Sequence, residues 1–208
     1  MSEPKEPPHP LAERLAASVP PSRELLVLGV GNGRNVRLLC ASHRVKGVDD
    51  DSLRAQRVES ALRAEGLDVR VHPAPYTQVP FARARFSGAL STHALLHGMR
   101  SKVRLALAET ARVLAPGAPF VLTLASVEDD RYGEGTMVEL DVFAPAAGDE
   151  AGVPHLYVDE DGVRELLSPH FAIASLRQVD VDSVVGRWAH GADRGTGRRH
   201  WFVEARRL

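Results

Sequence analysis

The chain has 208 residues, 44% of them hydrophobic, with 26 basic against 27 acidic side chains and a formal net charge of −1. That length suits one domain with a sizeable core, and the charge balance argues against a nucleic-acid-binding surface, which carries a basic excess. Cys40 is the single cysteine; it excludes an intrachain disulfide and a cysteine-based zinc site and is comfortable in the cytoplasm. The opening residues, Met1 to Pro10, lack the apolar stretch of a signal peptide. No apolar run approaches the roughly 20 residues of a membrane span. The prolines of this segment predict a poorly ordered lead-in that, with a first helix, occupies residues 1–20, followed by a single domain over 21–208.

Taken in order, short apolar runs alternate with helical patterns. Leu25-Leu26-Val27-Leu28 is continuous and is followed by glycines, as expected of a strand buried on both faces and then a turn. Val36, Leu39 and Cys40 fall at helical spacing, and Arg44 to Asp49 reads as a second strand. Ser52 is placed to cap a helix carrying Leu53, Val58 and Leu62 and stopping near Gly66. Asp68 to His72 and Phe86 to Leu90 read as the third and fourth strands. Ser101 is placed to cap a helix with Val103, Ala106, Leu107, Thr110, Ala111 and Leu114 on one face. Pro116-Gly117 turns into the strand Phe120 to Leu124. Asp159 caps a helix with Val163, Leu166 and Leu167, and Phe171 to Val179 and Trp201 to Ala205 supply the last strands.

This order predicts an α/β fold with a mostly parallel sheet covered on both faces, whose ligands bind beyond the carboxyl ends of the strands. The segment 127–161 differs: it is irregular and holds eleven acidic residues against Arg131 alone. It reads either as a lid over a site or as a solvated excursion.

The main chemical signal is Gly29-Val30-Gly31-Asn32-Gly33. Glycines let the backbone turn sharply after a strand and approach a ligand, and the following helix offers free N–H groups. A dinucleotide fingerprint would need a glycine at position 34 or 36, where the chain has Arg34 and Val36. The G-x-G-x-G pattern therefore suits an amino-acid or nucleoside ligand better than a pyrophosphate. Asp49, about 20 residues on at the end of the second strand, suits the ribose hydroxyls of a nucleoside, with Asp50 and Asp51 as neighbouring candidates; a helix-N-terminal acidic cluster is the other reading.

Leu25 to Asn35, Val48-Asp49, Phe86 to Leu96 and Leu114 to Gly117, in that order, resemble the class I S-adenosylmethionine-dependent methyltransferases over roughly residues 23–126. The tail, with Gly152-Val153-Pro154-His155 and His200-Trp201, is similar to small-molecule enzymes of the tellurite-resistance and general methyltransferase-domain type. The resemblance implies a Rossmann-like, doubly wound, seven-stranded sheet with an antiparallel last strand. It also implies S-adenosylmethionine as cofactor, S-adenosylhomocysteine as product and a small-molecule methyl acceptor, with no nucleic acid or membrane partner. By the same resemblance Gly29, Val30, Gly31, Asn32 and Gly33 hold the methionine part, Asp49 and Asp50 the ribose, and Ser91 and Thr92 border the methyl.

His93, just after the fourth strand, is the candidate base or orienting group. His97, Tyr132 and His155 are expected to line the acceptor site, with Tyr157 and Trp188 closing it. His93 and His97 would share a helix face if a helix starts there, but no third ligand is evident and no metal site is assigned. Arg194, Arg198, Arg199, Arg206 and Arg207 read as a basic cluster on a solvated rim. The chain departs from the family pattern at Val27, Pro75 and Ser87, where acids are usual, with Gln78 a possible substitute contact. Those departures support a second reading, a methyltransferase-like binding or regulatory domain without activity.

Overall fold

The computed structural model describes residues 6–148, 150–184 and 198–208. Trp188 and Arg194 lie outside the described residues. The elements begin with α1 (Pro10–Ser18), β1 (Glu24–Leu28), α2 (Arg34–Cys40), β2 (Arg44–Asp49), α3 (Ser52–Ala64), β3 (Arg70–Pro73) and β4 (Gly88–Ser91). They continue with α4 (Arg100–Val113), β5 (Pro119–Ser126), β6 (Thr136–Glu139), β7 (Val142–Ala144), β8 (His155–Val158), α5 (Glu160–Leu167), β9 (Phe171–Asp180), α6 (Val181–Val184) and β10 (Arg199–Arg207).

The central sheet runs β3-β2-β1-β4-β5, all parallel, and is extended by β10, antiparallel to β5, and β9, antiparallel to β10. These seven strands are the doubly wound α/β sheet with an antiparallel last strand that the resemblance implies, and β8, β7 and β6 bring the sheet to ten among the described residues. Alternation along β1 divides the interior. Leu25 and Val27 face a core shared with Leu11 and Leu15 of α1, Val36 and Leu39 of α2, and Val58 and Leu62 of α3. Leu26 and Leu28 face the other core, with Val103 and Leu107 of α4, Phe86, Phe120 and Leu166. Both faces of β1 are thus dry, which is why four consecutive apolar residues are required there.

Several local details differ from the sequence reading. Asp51, not Ser52, caps α3, its carboxylate accepting from the N–H groups of Leu53 and Arg54, and Leu53 lies outside the core at 76% exposure. Helix α4 begins at Arg100 with Met99 at the cap position and no side-chain cap, so Ser101 is already inside it. Asp159 does cap α5, accepting from Gly162 N at 2.7 Å. The end of the lead-in is tied down: His9 is fully buried, its Nδ1 accepts from Leu11 N and its N–H donates to Asn35 Oδ1.

The segment 127–161 is not irregular throughout. It holds β6, β7 and β8, a small antiparallel unit, and β8 pairs in parallel with Ala125 and Ser126 of β5. β4 pairs with β5 at residues 120–122 and β10 takes the other edge of β5. Strand β8 therefore continues the β4 edge beyond the carboxyl end of β4, and it carries this unit over the sheet end where ligands bind in such folds. β7 is three residues long, too short for an alternating pattern to register in sequence.

Candidate active site

Two adjoining cavities open at the carboxyl ends of the strands. The larger, about 330 Å³, is lined by Gly29, Val30, Gly31 and Asn32 after β1, Asp49 and Asp50 after β2, Tyr76, and Thr92 to Ala94 after β4, among others. That volume lies in the range of ordinary small-molecule sites. The glycine turn is held from below, because Val30 N donates to Asp49 Oδ2 at 3.0 Å. Gly31 has φ +53 and no atom within 4 Å of where a Cβ would project, so its backbone faces open cavity. Gly29 is different: a Cβ there would meet Ala94 Cβ at 2.3 Å, so it is a glycine for packing between two loops.

Asp49 is buried and strongly engaged. Oδ1 accepts from Asp51 N at 3.1 Å and from Arg54 Nε at 2.9 Å, while Oδ2 holds the glycine turn. The Asp49 side chain has no exposed surface, and three of the roughly four lone-pair sites of its carboxylate are engaged. Asp50 stands beside it in the same cavity, more exposed and 3.5 Å from Arg54 Nη2. The Tyr76 hydroxyl lies against Gly29, and burial pushes its pKa upward, keeping it a neutral hydrogen-bonding group.

The smaller cavity, about 70 Å³, is lined by His93, His97, His155 and His200 together with Asp129, Arg131, Glu150, Tyr157 and Arg198, among others. His93 has φ +55, unusual for a residue with a side chain, and its N–H is fixed by Thr123 Oγ1 at 2.8 Å. Its ring packs between those of His9 and His200, at 5.5 and 4.9 Å. Asp129 is buried, accepts from the N–H groups of Arg131 and Arg199, and lies 3.8 Å from Arg198 Nη1 and 3.7 Å from His200 Nε2. Burial raises its pKa in spite of those partners. Glu150 lies between His155 and His97, and hydrogen bonds from first the one and then the other hold its carboxyl far below the usual range.

Residues 25–117 match the family model for the methyltransferase domain. A dimethylglycine N-methyltransferase of Parasynechococcus marenigrum is 36% identical over 117 residues, 52% of this chain and 40% of that protein, so the match spans well under half of the curated relative. A methyltransferase structure from Methanosarcina mazei, described as S-adenosylmethionine-dependent, superposes with a TM-score of 0.78 at 20% identity, covering 97% of this chain and 99% of that one. The 1,6-didemethyltoxoflavin-N1-methyltransferase of Burkholderia thailandensis, solved with its substrate and S-adenosylhomocysteine, gives 0.71 at 22% identity over 96% and 77%. Residues 25–117 thus match a methyltransferase domain, and the chain as a whole has the fold of these solved methyltransferases. The comparisons do not single out a tellurite-resistance-like type.

S-adenosylmethionine or S-adenosylhomocysteine goes with both of those solved methyltransferases, and the cleft of this chain has residues that fit it. Gly31 leaves free the space a Cβ would fill, Asn32 and Thr92 line the same cleft, and two carboxylates stand at its far end. The departures have structural consequences. Val27 is 1% exposed in the core beneath α1, where an acid would be desolvated. Gln78 is exposed and does not line the cleft, and Tyr76 is the polar side chain that does.

Of the residues singled out from the sequence, Gly29 to Asn32, Asp49, Asp50, Thr92, His93 and His97 line the larger cavity. His93 and His97 also line the smaller one, with His155. Gly33 caps α2 and packs beside Leu62 and Val58, away from the wall. Ser91 is fully buried in β4 and is not a lining residue. Tyr132 lines neither cavity; it is 40% exposed, packs on Phe143 and Tyr157 and donates to Asp141. No helix forms at residues 93–97, so the shared helical face of His93 and His97 does not exist; His97 instead pairs by its backbone with His155.

The basic cluster disperses. Arg198 is buried in the small cavity, Arg199 bonds Glu128 at the surface, and Arg206 and Arg207 bond the carbonyls of Gly117 and Ala111. Sequence reading missed Tyr76, Arg54, Asp129, Glu150, Arg198 and His200 as neighbours of the site. His200 was noted only as part of His200-Trp201, and no spacing signal ties it to His93. Among the described residues no helix is long and apolar enough to cross a membrane.

Proposed function

We propose that the protein is a methyltransferase that transfers the methyl group of S-adenosylmethionine to a small polar acceptor. The single observation that carries this reading is the cleft that brings Gly31, the Asp49–Asp50 pair and Thr92-His93 to one wall, next to a second, strongly polar cavity. Bound S-adenosylmethionine supplies a methyl on a sulfonium centre already activated for displacement, so positioning is what the protein must provide.

In this reading the N–H groups and open backbone around Gly31 hold the amino-acid end. Asp50, with Asp49 behind it, takes the ribose hydroxyls, and Thr92 and His93 border the transferring group. The acceptor enters the small cavity, where His93 orients it or takes its proton. That space carries both signs of charge, with Arg198 and His200 beside Asp129 and Arg131 bonded to Glu150, which suits a small acceptor with both a basic and an acidic group. Amines bearing a carboxylate are the first class to test, in keeping with the name of the dimethylglycine N-methyltransferase that this chain resembles.

Incubation with methyl-labelled S-adenosylmethionine and a panel of small amino acids, amines, carboxylates and phenols tests the reading. Label transferred to one acceptor, with S-adenosylhomocysteine formed in equal amount, is the expected outcome. The departures at Val27, Pro75 and Ser87 favour a second reading, a binding domain of the same fold. Binding of S-adenosylmethionine with no transfer to any member of the panel would favour that alternative.

A further inference from the structure

We propose that His97, Glu150 and His155 form a three-ligand site for a divalent transition-metal ion, zinc or an ion of similar ligand preference, at the junction of the two cavities. The proposal does not depend on the cofactor reading. Its basis is convergence. The ligand atoms of the three side chains lie within 4.8 Å of one another. His97 Nε2 is 3.4 Å from Glu150 Oε1, and His155 Nε2 is 3.2 Å from Glu150 Oε2. Donors at neighbouring positions around an ion, each about 2.0–2.2 Å from it, are separated by about 3.0–3.5 Å. The two distances run to different oxygens of Glu150, so each histidine stands at ligand spacing from its own carboxylate oxygen, as suits a carboxylate that binds through both.

The scaffold is rigid where it matters. His97 and His155 are a cross-strand pair, with Leu156 N donating to Leu96 O at 2.9 Å and Gly98 N to Pro154 O at 2.7 Å on either side. Their rings meet edge to face at 4.6 Å.

The outer contacts are those a metal ligand needs. His155 Nδ1 is 2.8 Å from Val153 O, which can only accept, so Nδ1 carries the proton and Nε2 turns toward the carboxylate. Arg131 Nη1 donates to Glu150 Oε2 at 3.0 Å and orients that carboxylate from outside the trio.

Two histidines and one carboxylate suit zinc, iron, cobalt or nickel rather than magnesium or calcium, which prefer all-oxygen shells. Three protein ligands leave coordination positions free. His97 and Glu150 line both cavities, so those positions would take a lone pair of a small ligand, such as a carboxylate, hydroxyl or thiolate.

The test uses the full chain without a histidine tag, stripped with a chelator and titrated with Zn²⁺ by calorimetry and with Co²⁺ by visible absorption. One ion per chain is expected, with cobalt bands of nitrogen–oxygen ligation. His97→Ala and His155→Ala should each weaken binding by more than the roughly 10–100-fold typical of losing an outer-shell partner. His170→Ala, far from the trio, should leave binding unchanged. Circular dichroism of each variant verifies the fold. Absence of stoichiometric uptake, or unchanged affinity in a folded His97→Ala/His155→Ala double variant, would overturn the site and leave Glu150 as the partner of protonated imidazoles. Neither result depends on whether S-adenosylmethionine binds.

Discussion

The glycine-turn cleft and the histidine cavity meet at His93, His97 and Glu150, yet they are built by different means. The cleft is made by turns that directly follow β1, β2 and β4, and its groups lie within a few residues of a strand end. The histidine cavity gathers residues 93, 97, 129, 155, 198 and 200, which meet only because β8 adds to the edge of β5 and β10 lies on its other side. In the first region backbone conformation sets the chemistry. In the second, side chains brought from far apart set it. Substitutions should therefore separate cofactor binding from events at the acceptor.

The largest effect is expected at Gly31. Gly31→Arg places a long side chain in the cleft while the αL backbone costs about 1 kcal/mol. Calorimetry should show S-adenosylmethionine binding abolished and circular dichroism unchanged; unimpaired binding would sink the cleft assignment. His93→Gln tests the other region. It should lower kcat by roughly 10²–10⁴-fold if His93 moves a proton, with cofactor affinity nearly intact. A parallel loss of cofactor affinity would erase the distinction between the two regions.

Asp49→Asn should weaken cofactor binding by about 10–100-fold, as expected for one hydrogen bond to a charged group. It should also lower the melting temperature, because the amide has one acceptor oxygen where Val30 N and Arg54 now use two, and no charge opposite Arg54. A stability loss with no change in cofactor affinity would assign the ribose contact to Asp50.

The last test concerns His9, whose ring packs on that of His93. Burial first, and then the charge of Arg34, lowers its pKa from 6.5 to about 3. The unfolded chain thus takes up a proton that the folded chain refuses. Its contribution to stability is complete above about pH 6.5 and is lost as pH falls from there toward 3, by up to ~1.4 kcal/mol per pH unit. His9→Asn keeps a capping side chain and should flatten that part of the stability–pH curve measured by urea denaturation; an unchanged slope would contradict the assignment.

The sequence made the first region legible for a physical reason. A four-residue apolar strand, a glycine turn and an acid at the next strand end are consequences of local chain geometry, so Gly31 and Asp49 stand out in one dimension. The occupancy of Asp49 was not legible: that its oxygens hold Val30 N and Arg54 depends on where α3 lies. The caps at Asp51 and Met99 show the same limit on a smaller scale, because neighbouring capping residues compete and packing selects one. In the second region Glu150 carried no signal. It was one acid among eleven, and only the pairing of His97 with His155 gives it a role. Arg198 likewise reads as part of a basic, solvated rim, and His200 only as the neighbour of Trp201, until β10 is seen to run beside β5.

The most direct test of the central claim is calorimetric titration of the purified protein with S-adenosylmethionine and with S-adenosylhomocysteine. The account predicts binding of each at one site per chain, on the order of micromolar, or about −8 kcal/mol. Absence of heat at millimolar ligand would contradict it, and the protein would then be a methyltransferase fold whose cleft serves a different ligand.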